Sequence, residues 1–351
     1  MKGQFLVIVI ESAAVCASLV EYAGSKKADM LCTATDHISP RHGRVGSHVE
    51  HAMLRSLSNV LKALEPRAKR LTKVHIVFSS PWILSKTKIA SFQYQKPVTV
   101  DKRLLDGIIA EERTALRKLF PFDVDLIEQK IFEVKVNGFP IKNKKPSPAM
   151  TLSIANSVSV VSKHIIKKVT ETVEKHFHST KSSFHSASLL SFISMRYIRP
   201  EFENGIFIHV HGECTDITIF VGGVPLYFSS LNYGVYSFYR ALAEKIGMTF
   251  DLAASKVSLY EKGDLSTAEH KKFEPVVREE LLAWYDDILK LIFQYDRIEE
   301  LPLHIIVHSS KQTKLFEQTL ADQNRHSKIS RLPEEITELY MTGIDLVEFR
   351  D

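Results

Sequence analysis

The chain of 351 residues has only three cysteines, no long apolar segment and no strong excess of one charge. Cys16, Cys32 and Cys214 lack the spacing of a metal or redox motif, so we expect a reducing compartment without a disulfide framework. No apolar run reaches the roughly 18 residues of a membrane-spanning helix. The formal net charge of +5 is small for this length and does not by itself indicate nucleic-acid binding.

Hydrophobic residues make up 44% of the chain, which is enough for a large core and predicts two or more domains. The apolar segment Phe5–Ile10 is rich in β-branched residues and is followed by Glu11. That composition favours a buried first strand over a secretory signal peptide.

The two halves of the sequence share an order of elements without sharing sequence. Each half opens with an apolar strand, a tight turn and a second strand, at Phe5–Ile10 with Val15–Tyr22 and at Ile206–Val210 with Ile217–Val221. Gly222-Gly223 then predicts a hairpin. Backbone amides converge in such turns, and they bind anions in many phosphate-binding folds.

The residue pattern changes over Pro81–Met150 and predicts a separate insert. We expect a helix at Asp101–Lys118 and strands at Glu128–Val136 and Thr151–Val160. A basic turn at Lys142–Pro146 lies between the strands. It could contact anionic lipid or nucleic acid, but a solvated hairpin tip is the simpler interpretation, because no aromatic residues alternate with the lysines.

One segment of the second half carries a family resemblance, GIFIHVHGECTDITIFVGGVPLYFSSLNYGVYSFYRALAEKIG. It resembles the phosphate-2 segment of actin-like ATPases, specifically the bacterial proteins of the FtsA and PilM type. Thr215, Asp216, Gly222, Gly223 and Gly234 fall in register with that pattern. FLVIVIESAAVCASLV and LPLHIIVHSSKQTKLFEQTL stand where the phosphate-1 and adenosine motifs belong.

The resemblance implies an α/β, two-lobed actin-like (ribonuclease H-like) fold with a small α+β insert domain in the first lobe. The first lobe would comprise residues 1–74 and 151–200, the insert 75–150, and the second lobe 201–351. A helical subdomain is expected at about 248–298 within the second lobe.

The residues that the family uses for magnesium and the nucleotide are replaced at six aligned positions. Val9 and His209 stand where the family has aspartates. Glu11, His211 and Ser309-Ser310 stand where it has glycines, which let a backbone approach the nucleotide closely. We therefore expect no ATP hydrolysis and no bound cofactor. The alternative is an active ATPase that binds magnesium and ATP through atypical residues.

The resemblance gives five candidate residues for a degenerate nucleotide cleft, namely Ser12, Gly212, Thr215, Asp216 and Ser309. No catalytic residue is expected among them. His209 and His211 share a strand face, with Cys214 just beyond, and could bind zinc. We interpret them instead as changes in a cleft that has lost its function, and we predict no metal site.

By resemblance, the function would be that of a cytoplasmic, non-catalytic scaffold in cell division or type IV pilus-like assembly. Its partners would be cytoplasmic tails of inner-membrane proteins or other components of these machines, with self-association through the lobes. We expect no nucleic-acid partner. The segment EEITELYMTGIDLVEFRD is acidic, so direct anchoring is not expected and membrane association would be peripheral, through partners.

Overall fold

A computed structural model gives the fold. It describes residues 2–23, 29–38, 47–69, 71–117, 120, 123–141, 146–178, 181–295, 304–309, 314–323, 328–331, 340–342 and 344.

The first lobe is built on a five-stranded sheet with the order β3-β2-β1-β4-β9. Its strands are β1 (Lys2–Ile10), β2 (Ala14–Ala23), β3 (Asp29–His37), β4 (Leu71–Phe78) and β9 (Lys181–Ser186). The helices of this lobe are α1 (Ser47–Leu64), α3 (Lys163–His176) and α4 (Ala187–Ile198), with a short 3₁₀ helix at Glu65–Arg67.

β1 is buried on both faces, as its continuous apolar sequence predicts. Leu6, Ile8 and Ile10 pack in the cluster that contains buried residues of α1 and α3. Phe5, Val7 and Val9 face the other way and pack with residues of α4 and with Tyr340. The strand therefore lies at the centre of the lobe.

The second lobe repeats this arrangement in a sheet with the order β12-β11-β10-β13-β14. Its strands are β10 (Gly205–Val210), β11 (Thr215–Val221), β12 (Val224–Leu231), β13 (His304–Ser309) and β14 (Lys328–Arg331). Its helices are α5 (Val235–Ile246), α6 (Phe250–Lys262), α7 (Thr267–Ile292) and α8 (Leu315–Gln323). In each lobe the central strand is antiparallel to the strand that follows it and parallel to the strand on its other side.

The insert is a four-stranded sheet with the order β5-β8-β6-β7, and α2 (Lys102–Arg117) accompanies it. The strands are β5 (Ile83–Val100), β6 (Val124–Val136), β7 (Phe139–Pro140) and β8 (Ser147–Ser162). The basic residues Lys142, Lys144 and Lys145 lie outside the described residues.

The insert sheet does not end where the sequence predicted, at residues 75 and 150. β4 belongs to the first-lobe sheet, while β5 and β8 pair along their length from Ile83↔Val161 to Val100↔Ser147. Ile83 and Val161 pack in the first-lobe core, whereas Val100 packs in the separate core of the insert. Two continuous strands therefore span both cores, and the boundary between the lobe and the insert falls within them.

Two strands of the first lobe, β3 and β9, were not predicted. β3 has an exposed or half-exposed side chain at almost every position, and β9 has the polar sequence KSSFHS. Strands of this kind are defined by pairing with a neighbour more than by their own hydrophobic pattern. Within the described residues, no helix is both long enough and apolar enough to cross a membrane.

Candidate site between the two lobes

Two tight turns, one from each lobe, meet at the carboxyl ends of the central strands. After β1 the chain reverses through a hydrogen bond from the Glu11 amide to the carbonyl of Ala14 at 3.0 Å. After β10 the His211 amide donates to the carbonyl of Cys214 at 2.8 Å. The structural repeat therefore brings two equivalent turns face to face.

These turns touch each other directly. The backbone amide of Glu213 donates a hydrogen bond to the Ser12 hydroxyl at 3.0 Å. A Cβ atom added to Gly212 would lie 2.0 Å from the Cβ of Ala13. Ala13 itself is buried and packs in the core cluster of the second lobe. The first-lobe turn is thus part of the packing of the second lobe.

Gly234 supports the second turn from behind. A Cβ atom at this position would lie 2.4 Å from the His211 carbonyl oxygen and 2.7 Å from that of Gly212. Both neighbours are backbone atoms, which cannot rotate away as a side chain could, so this position has no space for a Cβ atom. The glycine allows α5 to begin against the turn, where Val235 and Tyr236 donate their amides to the same two carbonyls.

His211 lies between carboxylates from both lobes, and its side chain is fully buried. Its Nε2 is 3.1 Å from Asp216 Oδ2, and its Nδ1 is 3.6 Å from Glu11 Oε1. The Ser79 hydroxyl, directly after β4, is 3.2 Å from Nε2. Burial alone would lower the pKa of His211, but the charge of Asp216 and the hydrogen bonds to Asp216 and Glu11 raise it to about 10.

Asp216 is the anionic partner in this pair. Burial tends to raise its pKa, but the charge of His211 and hydrogen bonds from His211, Ser80 and Ser230 lower it overall. The junction therefore holds an imidazolium and a carboxylate that are both removed from water. Such a pair is costly to break from one side, because the remaining charge stays buried without compensation.

A second histidine stacks against this pair. The ring centroid of His209 is 3.7 Å from that of His211 and 4.8 Å from that of His308. Burial, followed by the charges of His211 and His308, lowers the pKa of His209 well below its usual value. His209 is therefore a neutral imidazole beside a charged one.

Glu213 does not direct its charge into the cleft. Its carboxylate forms a two-point ion pair with Arg240 of α5, with one contact from the guanidinium Nη1 at 2.8 Å and a second from Nη2. Arg240 and Ser237 lie one turn apart on the same helix and also hydrogen bond to each other. The negative charge of Glu213 is therefore neutralised within the second lobe.

The structure brings together three of the five candidate residues, Ser12, Gly212 and Asp216. The Thr215 hydroxyl instead donates to the carbonyl of Tyr233 at 2.7 Å and accepts from Trp284 Nε1 at 3.1 Å, inside the second lobe.

Ser309 pairs with Val210 in the sheet, and its side chain lies outside the described residues, as does Ser310. Cys214 is buried, and burial raises the pKa of its thiol to about 12, so it is not a reactive cysteine.

Ser79, Ser80 and Arg240 belong to the site but were not predicted from the sequence. The two serines follow directly after a buried strand, at the sheet edge where the turns meet. That position in the sequence could have identified them as site residues. Arg240 lies in an ordinary amphipathic helix, and nothing in its local sequence distinguishes it.

No protein-family model and no curated protein matches the sequence. Among solved structures, the PilM–PilN type IV pilus biogenesis complex is similar, with 14% identity, a TM-score of 0.67 and coverage of 97% of this chain and 95% of that one.

Two weaker similarities have a TM-score of 0.49 each. Ethanolamine utilization protein EutJ from Carboxydothermus hydrogenoformans is 12% identical, covering 98% of this chain and 89% of that chain. A Bacteroides thetaiotaomicron protein with an actin-like ATPase fold is 11% identical, covering 97% and 95%. The chain has the actin-like ATPase fold, and the predicted two-lobed fold class is confirmed.

Proposed function

We propose that the protein is a non-catalytic scaffold of the FtsA and PilM type, which binds protein partners at the cytoplasmic face of the inner membrane. Its setting would be cell division or a type IV pilus-like assembly. The observation that carries the proposal is the direct contact of the two turns, between Ala13 and Gly212 and between Ser12 and Glu213.

Magnesium and a nucleoside triphosphate do not fit the residues at these turns. The metal would need a carboxylate site that is open to it, and the phosphates would need free backbone amides. The Glu213 amide already donates to Ser12, and the Glu11 carboxylate lies beside the second-lobe turn. A Cβ-sized group already has no space between the turns. These contacts support a loss of tight nucleotide binding and of hydrolysis.

The exposed apolar side chains of the insert support the proposal that partners bind there. Phe139 at the β6–β7 hairpin is 75% exposed, and Leu84, Ile89 and Met150 on the same sheet are also exposed. A short peptide can add to such a surface through backbone hydrogen bonds and a few side-chain contacts. The structurally similar PilM is found in a complex with PilN, which motivates the choice of a membrane-protein tail as partner.

The catalytic half of the proposal is tested with purified protein, Mg²⁺ and ATP. We expect no phosphate release above the background of a heat-inactivated sample and no rise in the melting temperature, since a ligand of the native state must stabilise it. Turnover that disappears in an Asp216→Asn variant would favour the alternative, an active ATPase with atypical residues. The ionised, buried Asp216 is the observation in favour of that alternative.

The partner half is tested by capture from detergent-solubilised bacterial membranes with the full chain as bait. We expect membrane proteins with cytoplasmic tails to be captured, and Phe139→Asp to abolish the capture. Phe293→Asp is the matched control, because Phe293 is 56% exposed at the end of α7, in the other lobe. Equal capture by both variants would show that the insert hairpin is not the binding surface.

A further inference from the structure

Three potential metal ligands converge at the junction of the lobes. Ligand atoms of Glu11, His209 and His211 all lie within 4.8 Å of one another. Glu11 comes from the first lobe, and both histidines come from the second. Apart from its approach to His211, Glu11 Oε1 is buried without a hydrogen bond to any described residue. A buried carboxylate oxygen that accepts no hydrogen bond and lies beside two imidazoles leaves a position for one more ligand, such as a bound ion.

One of the three ligand spacings can be compared directly with tetrahedral zinc. Bonds of about 2.0–2.1 Å to nitrogen and oxygen place two ligands of one tetrahedron about 3.4 Å apart. His211 Nδ1 and Glu11 Oε1 are 3.6 Å apart, close to that value. The Glu11 side chain keeps 21% of its surface exposed, so it has room to turn toward an ion.

An outer carboxylate already orients the nearer histidine. His211 Nε2 faces Asp216 Oδ2 at 3.1 Å, which leaves Nδ1 as the nitrogen that faces Glu11. Metal-bound histidines generally use their second nitrogen in this way, and the outer carboxylate makes them better ligands. His209 is the second imidazole, held by packing between the rings of His211 and His308.

We propose that the junction binds one zinc ion through Glu11, His209 and His211, with water at the fourth position and Asp216 as the outer partner of His211. Because its ligands come from both lobes, the zinc fastens the lobes together where related folds place a nucleotide. The proposal does not depend on the scaffold function.

Two imidazole nitrogens and one carboxylate oxygen suit Zn²⁺ and not Mg²⁺, which prefers oxygen ligands and keeps several waters. Magnesium therefore serves as the control metal. The three cysteines would supply sulfur at about 2.3 Å, whereas the proposed site would show only nitrogen and oxygen at about 2.0–2.2 Å. X-ray absorption at the zinc edge distinguishes these two possibilities.

The test uses full-length protein without a histidine tag, stripped by a chelator, incubated with ZnSO₄ and dialysed. Elemental analysis should give one zinc per chain, with a higher melting temperature that Mg²⁺ does not produce. His209→Gln and Glu11→Gln should each lose the zinc, while Asp216→Asn should weaken affinity about 10–100-fold. His270→Gln, on the surface of α7, is the control and should retain it.

Glu11→Gln keeps the test decisive if a buried histidine variant fails to fold, because Glu11 is partly exposed. The proposal fails if wild-type protein holds no zinc, if Glu11→Gln binds as much as wild type, or if sulfur ligands appear. Its failure would leave the scaffold proposal intact, since that proposal is tested by ATP turnover and partner capture. Conversely, ATP turnover in a protein that binds zinc as described would refute only the scaffold proposal.

Discussion

Gly212→Ala is the smallest change that tests whether the two lobes are in contact. The substitution adds one methyl group at the point where a Cβ would lie 2.0 Å from Ala13 Cβ and 3.4 Å from Ala13 Cα. Carbon atoms in contact are normally about 3.5–4.0 Å apart. The two turns must therefore separate by about 1.5 Å or more.

The cost follows from what surrounds the new methyl. Its nearest neighbours are the short side chain and backbone of Ala13 and the ring of Tyr236, and none of these can simply swing away. Overpacking of this kind costs about 1–3 kcal/mol. Separation of the turns would also break the bond between Ser12 and the Glu213 amide, worth about 1 kcal/mol. We expect a total loss of about 3 kcal/mol in the free energy of unfolding.

The assay is urea denaturation followed by far-ultraviolet circular dichroism and tryptophan fluorescence, with two companions. Gly107→Ala makes the same chemical change in the exposed middle of α2, where nothing lies within 4 Å. It should stabilise the protein by about 0.5–1 kcal/mol. The double variant Ala13→Gly/Gly212→Ala moves the methyl from one turn to the other and should recover most of the lost stability.

Two results would refute this reasoning. The first is a Gly212→Ala variant as stable as Gly107→Ala, which would mean that the turns are apart in solution. The second is a double variant no more stable than Gly212→Ala alone, which would mean that Ala13 is not the obstructing neighbour. Either result would also remove the main support for a closed nucleotide cleft.

Burial and the neighbouring His185 lower the pKa of His75 to about 3. Below about pH 6.5 the unfolded chain binds a proton at His75 and the folded protein does not, so the free energy of unfolding declines as the pH falls toward 3. By pH 5 the free energy of unfolding measured in urea titrations should be about 2 kcal/mol lower than at pH 7. His75→Asn should make it less dependent on pH, whereas the surface control His270→Asn should leave the pH dependence unchanged. Thr215→Val leaves the buried Trp284 Nε1 without an acceptor and should cost about 1–3 kcal/mol in the same assay at pH 7. Ser266→Ala removes the capping box of α7 and should lower the free energy of unfolding by about 1 kcal/mol. Ser255→Ala, at an exposed position of α6, should leave it almost unchanged.

The sequence predicted the parts of the fold that have a hydrophobic period. The central strands Phe5–Ile10 and Ile206–Val210 and the helix Asp101–Lys118 are where their patterns placed them, with ends that differ by a few residues at most. The strands β3 and β9 were missed because their side chains are polar or half-exposed. Their existence depends on neighbouring strands that lie far away in sequence.

The candidate site was less predictable because its character depends on which groups meet. Glu213 lies in the turn after β10, and its charge is bound by Arg240, 27 residues further along the chain in the same lobe. Thr215 matched a family motif, yet its hydroxyl accepts a hydrogen bond from Trp284, 69 residues away in sequence. Contacts between residues this far apart in sequence form only when the lobe folds, so no local sequence pattern predicts them.

The replacements at the cleft are better understood together than one at a time. Considered separately, Glu11 and His211 each replace a glycine of the family pattern. In the folded protein they face each other across the lobes, with Asp216 behind the histidine and Ser12 holding the opposite turn. A glycine at position 211 would leave the buried Asp216 without its imidazolium partner, at a cost of several kcal/mol, and would also remove the partner of Glu11. Changes that only abolished nucleotide binding need not complement one another, so their complementarity indicates that the closed junction is itself what these residues stabilise.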